Sequence, residues 1–163
     1  MAAGPFGRRR DGSVDVTLAE AEAEVLRSIA ARMSDVLAAP EQAAHTERLF
    51  PPAYTDDPDA QAEFARLMTA DLLDGKRRAV ASMLGTLQRG SLRRGGWRVR
   101  LTADEAQDWL AVLNDTRLTL GSRLDVTEQT YDRAVDPDAP DAAAHEVFRY
   151  LGYLEEYLLE VLM

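Results

Sequence analysis

The two histidines are the first residues to consider for catalysis or metal binding. His45 and His145 lie far apart in the sequence, and neither belongs to a His-Glu-x-x-His or Glu-x-x-His pattern, which places metal ligands on one helix face. Glu41 precedes His45 by one helical turn, a spacing that is common by chance. The chain also lacks the Gly-x-Ser-x-Gly elbow and the phosphate-binding loop. We therefore predict no catalytic residue, no metal site, no cofactor and a protein that is not an enzyme.

The chain contains no cysteine. This excludes disulfides, zinc–thiolate sites, thiol nucleophiles and cysteine redox switches on this chain. The acidic segment 132–141 has the composition of a calcium loop, but it lacks the central glycine and the closing glutamate. We interpret it as a solvated loop.

Arg117 is the charged residue whose spacing points most directly to a site. It follows Leu113 by one helical turn and falls on the same apolar row, so we expect it to be at least partly buried. A buried guanidinium needs a carboxylate. Asp56 or Asp57 is the predicted partner, with Arg123 serving the other aspartate. An ion pair that stabilises the fold and a pocket for a ligand or partner both fit this arrangement.

Residues 76–100 form a basic segment inside an acidic chain of net charge −9. The segment has no acidic residue, and its basic members are Lys76, Arg77, Arg78, Arg89, Arg93, Arg94, Arg98 and Arg100. One interpretation is that it neutralises the acidic part of its own fold or of a dimer mate. The other is contact with nucleic acid or an acidic protein. The net charge disfavours bulk attraction to nucleic acid or anionic lipid.

The elements that must hold these residues are mostly helices. Apolar periodicity predicts helices from Thr17 to before Pro40, over about 41–50, from Asp57–Pro58, from Thr69 to Gly90, from Thr102 to about 124, and from about Asp141 onward. Thr17 and Thr102 each begin a capping box. Alternation over 14–16 and 97–101 predicts two strands. The fold class is thus mostly α, a bundle of about five helices with at most a small two-stranded antiparallel ribbon joining 14–16 to 97–101.

The length fits one domain. We predict a flexible N-terminal arm over residues 1–12 and a single helical domain over 13–163. No stretch reaches the ~20 apolar residues of a membrane span, and no apolar core follows Arg8–Arg10 as in a signal peptide. We therefore expect a cytoplasmic protein without membrane contact.

The last predicted helix carries more apolar surface than an ordinary surface helix. Between residues 147 and 162 the apolar side chains cover roughly 220° of the helical wheel, where ~100° is sufficient, and Glu155 is the one charge inside that arc. A central position in the bundle is one explanation. The other is that the edge formed by Tyr150, Tyr153 and Tyr157 meets a second copy or a partner, because tyrosine joins an apolar ring to a polar tip. We predict a homodimer through this edge.

Three segments carry a resemblance to a known family. Residues 48–58 read R-L-F-P-P-A-Y-T-D-D-P, residues 113–124 read L-N-D-T-R-L-T-L-G-S-R-L, and residues 150–154 read Y-L-G-Y-L. From about Val14 on, the chain resembles the actinobacterial "domain of unknown function 2017" family. The motif residues Arg48, Asn114 and Asp115 thereby join Arg117 in the predicted ion pair or pocket.

The resemblance implies a small cytosolic actinobacterial protein, commonly encoded beside the adaptor of the Clp protease. One branch of the family is known as an oxidative-stress transcriptional regulator that acts with RNA polymerase machinery and senses oxidants through paired cysteines. Because this chain has no cysteine, the redox-sensing part cannot carry over.

Three functional hypotheses follow. The leading one is a non-enzymatic regulatory or adaptor protein that binds another protein, in transcription regulation or in Clp proteolysis. The second is a nucleic-acid-binding transcriptional regulator that uses residues 76–100. The third is a small-ligand-binding protein or enzyme centred on Arg117 and Asp57.

Overall fold

The computed structural model describes residues 4–46, 48–50, 58–127 and 136–163, which contain four α-helices and one four-stranded antiparallel sheet. The strands are β1 (Phe6–Arg8), β2 (Val14–Leu18), β3 (Ser91–Arg93) and β4 (Gly96–Leu101). The helices are α1 (Glu20–Ala38), α2 (Pro58–Arg89), α3 (Ala103–Arg123) and α4 (Ala142–Leu162), and a 3-10 turn, Pro40–Gln42, follows α1. The predicted mostly α class is confirmed, with four α-helices in the described ranges instead of about five.

The sheet has the strand order β1-β2-β4-β3. The predicted pairing of 14–16 with 97–101 is confirmed, with Val14 opposite Leu101 and Val16 opposite Val99. The segment predicted as a flexible arm contains β1, which pairs with β2 and places Phe6 opposite Val16. That prediction is corrected because Phe6 is only 3% exposed.

Two predicted helix starts are also corrected. Thr17 lies inside β2, and α1 starts at Glu20 with the backbone N–H of Ala19 donating to the Glu22 carboxylate at 2.8 Å. The alternation that buries Val14 and Val16 continues to Leu18, so the strand extends through Thr17. Thr69 is an interior residue of α2 instead of a helix start.

The predicted helix over 41–50 is wrong for the described part of that range. Only the turn Pro40–Gln42 is helical, and His45 has a φ of 64°. A left-handed residue interrupts a right-handed helix. The proposed cap Asp57 lies outside the described residues.

The second capping box is confirmed at α3. The backbone N–H of Glu105 donates to the Thr102 hydroxyl at 3.1 Å, and the backbone N–H of Thr102 donates to the Glu105 carboxylate at 3.3 Å. This reciprocal pair determines where α3 leaves β4. Gly90, the residue before β3, leaves room for the ring of Trp97, which a Cβ at this position would overlap.

The core lies between the inner face of the sheet and the helices, with α3 packed against both α2 and α4. Trp109 of α3 is fully buried, and its indole N–H donates to the Thr86 hydroxyl at 2.7 Å. That hydroxyl donates in turn to the Met83 carbonyl at 2.8 Å. The described helices include none with the length and apolar character needed to cross a membrane.

Candidate functional site

Asp115, one of the predicted pocket residues, forms an ion pair between two helices. The Lys76 Nζ lies 2.9 Å from each of its carboxylate oxygens, and the two side chains are 18% and 9% exposed. The Thr119 hydroxyl donates to the Asp115 backbone carbonyl. This arrangement joins α2 to α3 and leaves little of the carboxylate open to a ligand.

Arg117 is partly buried, and its side chain is 27% exposed. Its Nη1 lies 3.4 Å from the Glu155 carboxylate, and its guanidinium lies 5.1 Å from the ring centroid of Phe148. Gly152 makes space for it, since a Cβ there would lie 3.3 Å from the Arg117 Nε. Glu155, the one charged residue inside the apolar arc of α4, therefore balances the charge of Arg117 on α3. Asp56 and Asp57 lie outside the described residues, so a pairing of Arg117 with either stays a prediction.

A shallow pocket of about 370 Å³ brings together three of the sequence-predicted residues, Arg48, Asn114 and Arg117. Phe148 forms part of its wall. Asp115 is turned toward Lys76 instead, and Arg123 lines a different cavity. Among the described residues, no three histidine, aspartate or glutamate side chains converge in a way that could hold a metal ion.

A larger cavity of about 450 Å³ lies between α1 and α3, closed at one end by α4 and by the residues after the 3-10 turn. We call it the α1–α3 cavity. Its apolar lining comes from Val25, Ile29, Met33, Val36, Leu120 and Val147, and the basic residues that line it are Arg32, His45 and Arg123. The apolar row of α1 is visible in the sequence, but such a row alone predicts a helix face packed in the core and not a cavity wall.

The tyrosine edge of α4 is largely covered by the chain itself. Tyr157 packs against Phe6 of β1, with ring centroids 6.4 Å apart. Tyr150 is half-buried; burial, followed by the nearby Glu22 carboxylate, raises the pKa of its hydroxyl well above the ordinary value. Tyr153 is 51% exposed and contacts Tyr157. The wide apolar arc is thus covered by α3 on one side and β1 on the other, and a homodimer through this edge stays a prediction.

Part of the basic segment 76–100 serves the fold. Arg77 donates through Nε to the Leu37 carbonyl at 2.8 Å, at the end of α1. Arg89 forms an ion pair with Glu105 at 2.8 Å. These contacts support the interpretation that the segment neutralises groups of its own fold.

The remaining arginines of the segment lie on or beside the outer face of the sheet. Arg98 and Arg100 of β4 alternate with buried residues and point away from the core, and Arg93 of β3 lies on the same face by its register. Arg94 is exposed in the β3–β4 turn. The sheet brings Arg9 to this face through an ion pair with Asp15 at 2.9 Å. We call Arg9, Arg93, Arg98 and Arg100 the basic sheet face.

Asp15 is the carboxylate that balances part of this face. Hydrogen bonds from Arg9 and then from Arg100, which lies 3.0 Å away, lower the pKa of Asp15 below its ordinary value. The sequence analysis identified Arg93, Arg98 and Arg100 but not Arg9. The pairing of β1 with β2 and of β2 with β4 brings Arg9, from the N-terminal part of the chain, to the same face of the sheet.

The N-terminal half of α2 carries three exposed apolar side chains close together. Leu67 is 64% exposed, Met68 45% and Leu72 37%. We call these three residues the α2 stripe. Among the α2 side chains that the structure describes, Leu73 is the first that packs against the core.

Comparisons with known proteins agree on one family. The family model described as "Domain of unknown function (DUF2017)" matches residues 3–162. "Oxidative stress regulator AosR" of Mycobacterium tuberculosis (strain ATCC 25618 / H37Rv) is 34% identical over 115 residues, which cover 66% of this chain and 50% of that protein. "Putative oxidative stress regulator AosR" of Mycobacterium leprae (strain TN) is 32% identical over 129 residues, covering 71% of this chain and 57% of that protein. The chain thus spans about half the length of the curated relatives it matches. No solved structure matches the chain.

Proposed function

Since the chain belongs to the domain of unknown function 2017 family, we propose that it is a regulatory protein that acts by binding another protein and catalyses no reaction. The name of its mycobacterial relatives, oxidative stress regulator, supports the regulatory part. The binding part depends on one observation, the exposed α2 stripe.

The α2 stripe has the geometry of a helix that fits into a groove. Met68 and Leu72 are one helical turn apart, and Leu67 lies beside Met68, about 100° around the helix axis. All three side chains are more than a third exposed. Contiguous exposed apolar side chains mark interaction sites more often than a single exposed leucine does. An amphipathic helix that presents such a row binds through a complementary apolar groove.

The charged residues around the α2 stripe indicate which charges the partner should carry beside its groove. Asp59, Glu63, Asp71 and Asp74 accompany a single basic residue, Arg66, in this half of the helix. A partner with basic residues beside its apolar groove is therefore favoured electrostatically. The occupant that we propose is a component of the RNA polymerase machinery, and a component of the Clp protease is the alternative. Both are cytoplasmic, which is also the location that we propose for this chain.

A site-specific photo-crosslinker tests the surface. With p-benzoylphenylalanine at position 68, we expect a crosslink to one subunit of purified actinobacterial RNA polymerase. The matched control carries the same group at Ala70, which is exposed and lies on the opposite side of α2 from Met68. Crosslinking at position 68 but not at position 70 supports the proposal.

Equal crosslinking at both positions, or none at either, contradicts it. The variants Met68→Glu and Ala70→Glu provide a second comparison, because both add one carboxylate to an exposed position of the same helix. We expect only Met68→Glu to abolish co-purification with the partner. A crosslink from position 68 to a second copy of the chain identifies a homodimer surface instead.

The basic sheet face favours a second candidate function, binding of nucleic acid. It concentrates four arginines around one aspartate, Asp15, on an exposed surface of an acidic protein. Such a surface contacts phosphates with little sequence preference, and its affinity falls steeply with salt. No aromatic ring lies on this face among the described strand residues, so base stacking contributes nothing there.

Duplex DNA at low salt tests this candidate. We expect Arg93→Ala combined with Arg94→Ala to weaken binding and reduce its salt dependence, while Arg78→Ala, outside the sheet, leaves both unchanged. Absence of binding by the unaltered chain, or binding that survives the double substitution, rejects it.

A further inference from the structure

We propose that the α1–α3 cavity binds an amphipathic carboxylate of the fatty-acid type, one per chain, with its apolar chain between α1 and α3 and its carboxylate at Arg32 and Arg123. This ligand site is independent of the α2 stripe and of the proposed partner. If the chain is the regulatory protein proposed above, ligand binding at this site regulates it without a cysteine, which the chain lacks.

The size and the walls of the cavity suit a small apolar ligand. Its volume of about 450 Å³ lies in the range of roughly 300–1,000 Å³ typical of ligand pockets. Val25, Ile29 and Met33 of α1 face Leu120 of α3 across it, and Val147 of α4 contributes at one end. Val25 is 38% exposed, so an apolar chain that covers it gains hydrophobic stabilisation.

The basic residues of the lining select the charge of the head group. Arg32 and Arg123 line the cavity and are exposed, and neither forms an ion pair with any residue that the structure describes. His45 lies in the same lining, and none of the described lining residues is an aspartate or glutamate. Two guanidinium groups that have no ion pair with a described residue, beside an apolar cavity, favour a carboxylate, which each can bind through charge-assisted hydrogen bonds.

A hydroxyl in the cavity wall is a second and independent observation. Thr116 lines the cavity, and its buried Oγ1 has no hydrogen-bond partner among the described residues. Buried hydroxyls are usually paired. Ser28 brings another hydroxyl from α1. A few polar groups in an otherwise apolar pocket are what orients a bound ligand.

Ile29 provides a direct probe, because it is the single isoleucine of the chain and lines the cavity. With ¹³C on the isoleucine δ1 methyl, the spectrum contains one signal. We expect dodecanoate, added below its critical micelle concentration, to shift this signal saturably with one ligand per chain. Dodecyltrimethylammonium has the same chain with a cationic head, and we expect no saturable shift. Dodecanol should bind more weakly than dodecanoate.

Substitutions at the exposed arginines test the head-group position without disturbing the core. Arg32→Gln and Arg123→Gln should each weaken dodecanoate binding about tenfold, the loss expected for one charge-assisted hydrogen bond. Arg78→Gln, on α2 and outside the cavity lining, should bind as the unaltered chain does. Met68→Glu should also bind normally, which separates this site from the proposed partner surface.

Three results overturn the proposal. The first is an Ile29 signal that does not move, or that shifts without saturating, which indicates that dodecanoate does not bind specifically in the cavity. The second is equal affinity for the cationic or neutral analogue. The third is unchanged affinity in both arginine variants.

Discussion

The Lys76 ammonium lies 2.9 Å from both carboxylate oxygens of Asp115, and Lys76 is the single lysine of the chain. The pair joins α2 to α3. Toward the N-terminus from Lys76, α2 presents the exposed stripe. The pair therefore anchors the helix whose N-terminal half we propose to bind a partner.

Replacing Lys76 with methionine should lower the free energy of unfolding by about 3 kcal/mol, because it leaves the Asp115 carboxylate buried without a counter-charge. Urea denaturation measures the change. The double variant Lys76→Met/Asp115→Leu removes both charges and should recover most of the loss. A double variant no more stable than Lys76→Met contradicts this account of the pair.

Truncating Phe6 should show that the N-terminal strand belongs to the core. Phe6 is 3% exposed and packs edge-on against Trp109, with ring centroids 6.4 Å apart. Phe6→Ala should cost roughly 3–5 kcal/mol of unfolding free energy. Leu92→Ala is the control, since Leu92 is 59% exposed and should change stability by at most about 0.5 kcal/mol. Similar small effects for both variants would contradict this prediction and support a flexible N-terminal arm instead.

Gly152 should be intolerant of a side chain because Arg117 passes directly over it. A Cβ would lie 3.3 Å from the Arg117 Nε, whereas a Cβ on Gly85 meets nothing within 4 Å. Gly152→Val should lower the unfolding free energy by about 1–3 kcal/mol through overpacking. Gly85→Val makes the same change in another helix and should stay within about 0.5 kcal/mol. Equal effects in thermal or urea unfolding would exclude a packing role for Gly152.

The stability of the chain should fall in alkaline solution in a way that depends on Tyr150. Its pKa is raised in the folded state, by burial first and by Glu22 second, from an ordinary value of 10.0. A raised folded pKa contributes stability that is fully present below the unfolded pKa and is lost as pH rises above it. Above about pH 10 the unfolding free energy should therefore fall, by at most about 1.4 kcal/mol per pH unit from this group.

Tyr150→Phe should reduce that slope. Urea unfolding at several pH values between 8 and 11 measures the slope in both proteins. The same slope in the unaltered chain and in the variant would show that other groups cause the alkaline loss.

Several elements were predictable because their signals are local. The strand pair 14–16 with 97–101 shows alternating apolar residues, and the start of α3 shows the Thr102–Glu105 box. Such hydrogen bonds and side-chain periods involve residues only a few positions apart. The helix start predicted at Thr17 was wrong because the strand alternation continues through it and buries Leu18. The helix start predicted at Thr69 was wrong because α2 continues through this residue without a break.

Residue types and local spacing were enough to predict the mostly α class, the central strand pair, the partial burial of Arg117, the absence of cysteine chemistry and the family. The packing of the elements was needed to find that Glu155 lies beside Arg117, that Lys76 pairs with Asp115, that Phe6 covers Tyr157, and that Arg32 and Arg123 line one cavity. Each of these contacts joins residues far apart in the chain. Their existence depends on how helices and strands pack together, and no local period or capping motif encodes that packing.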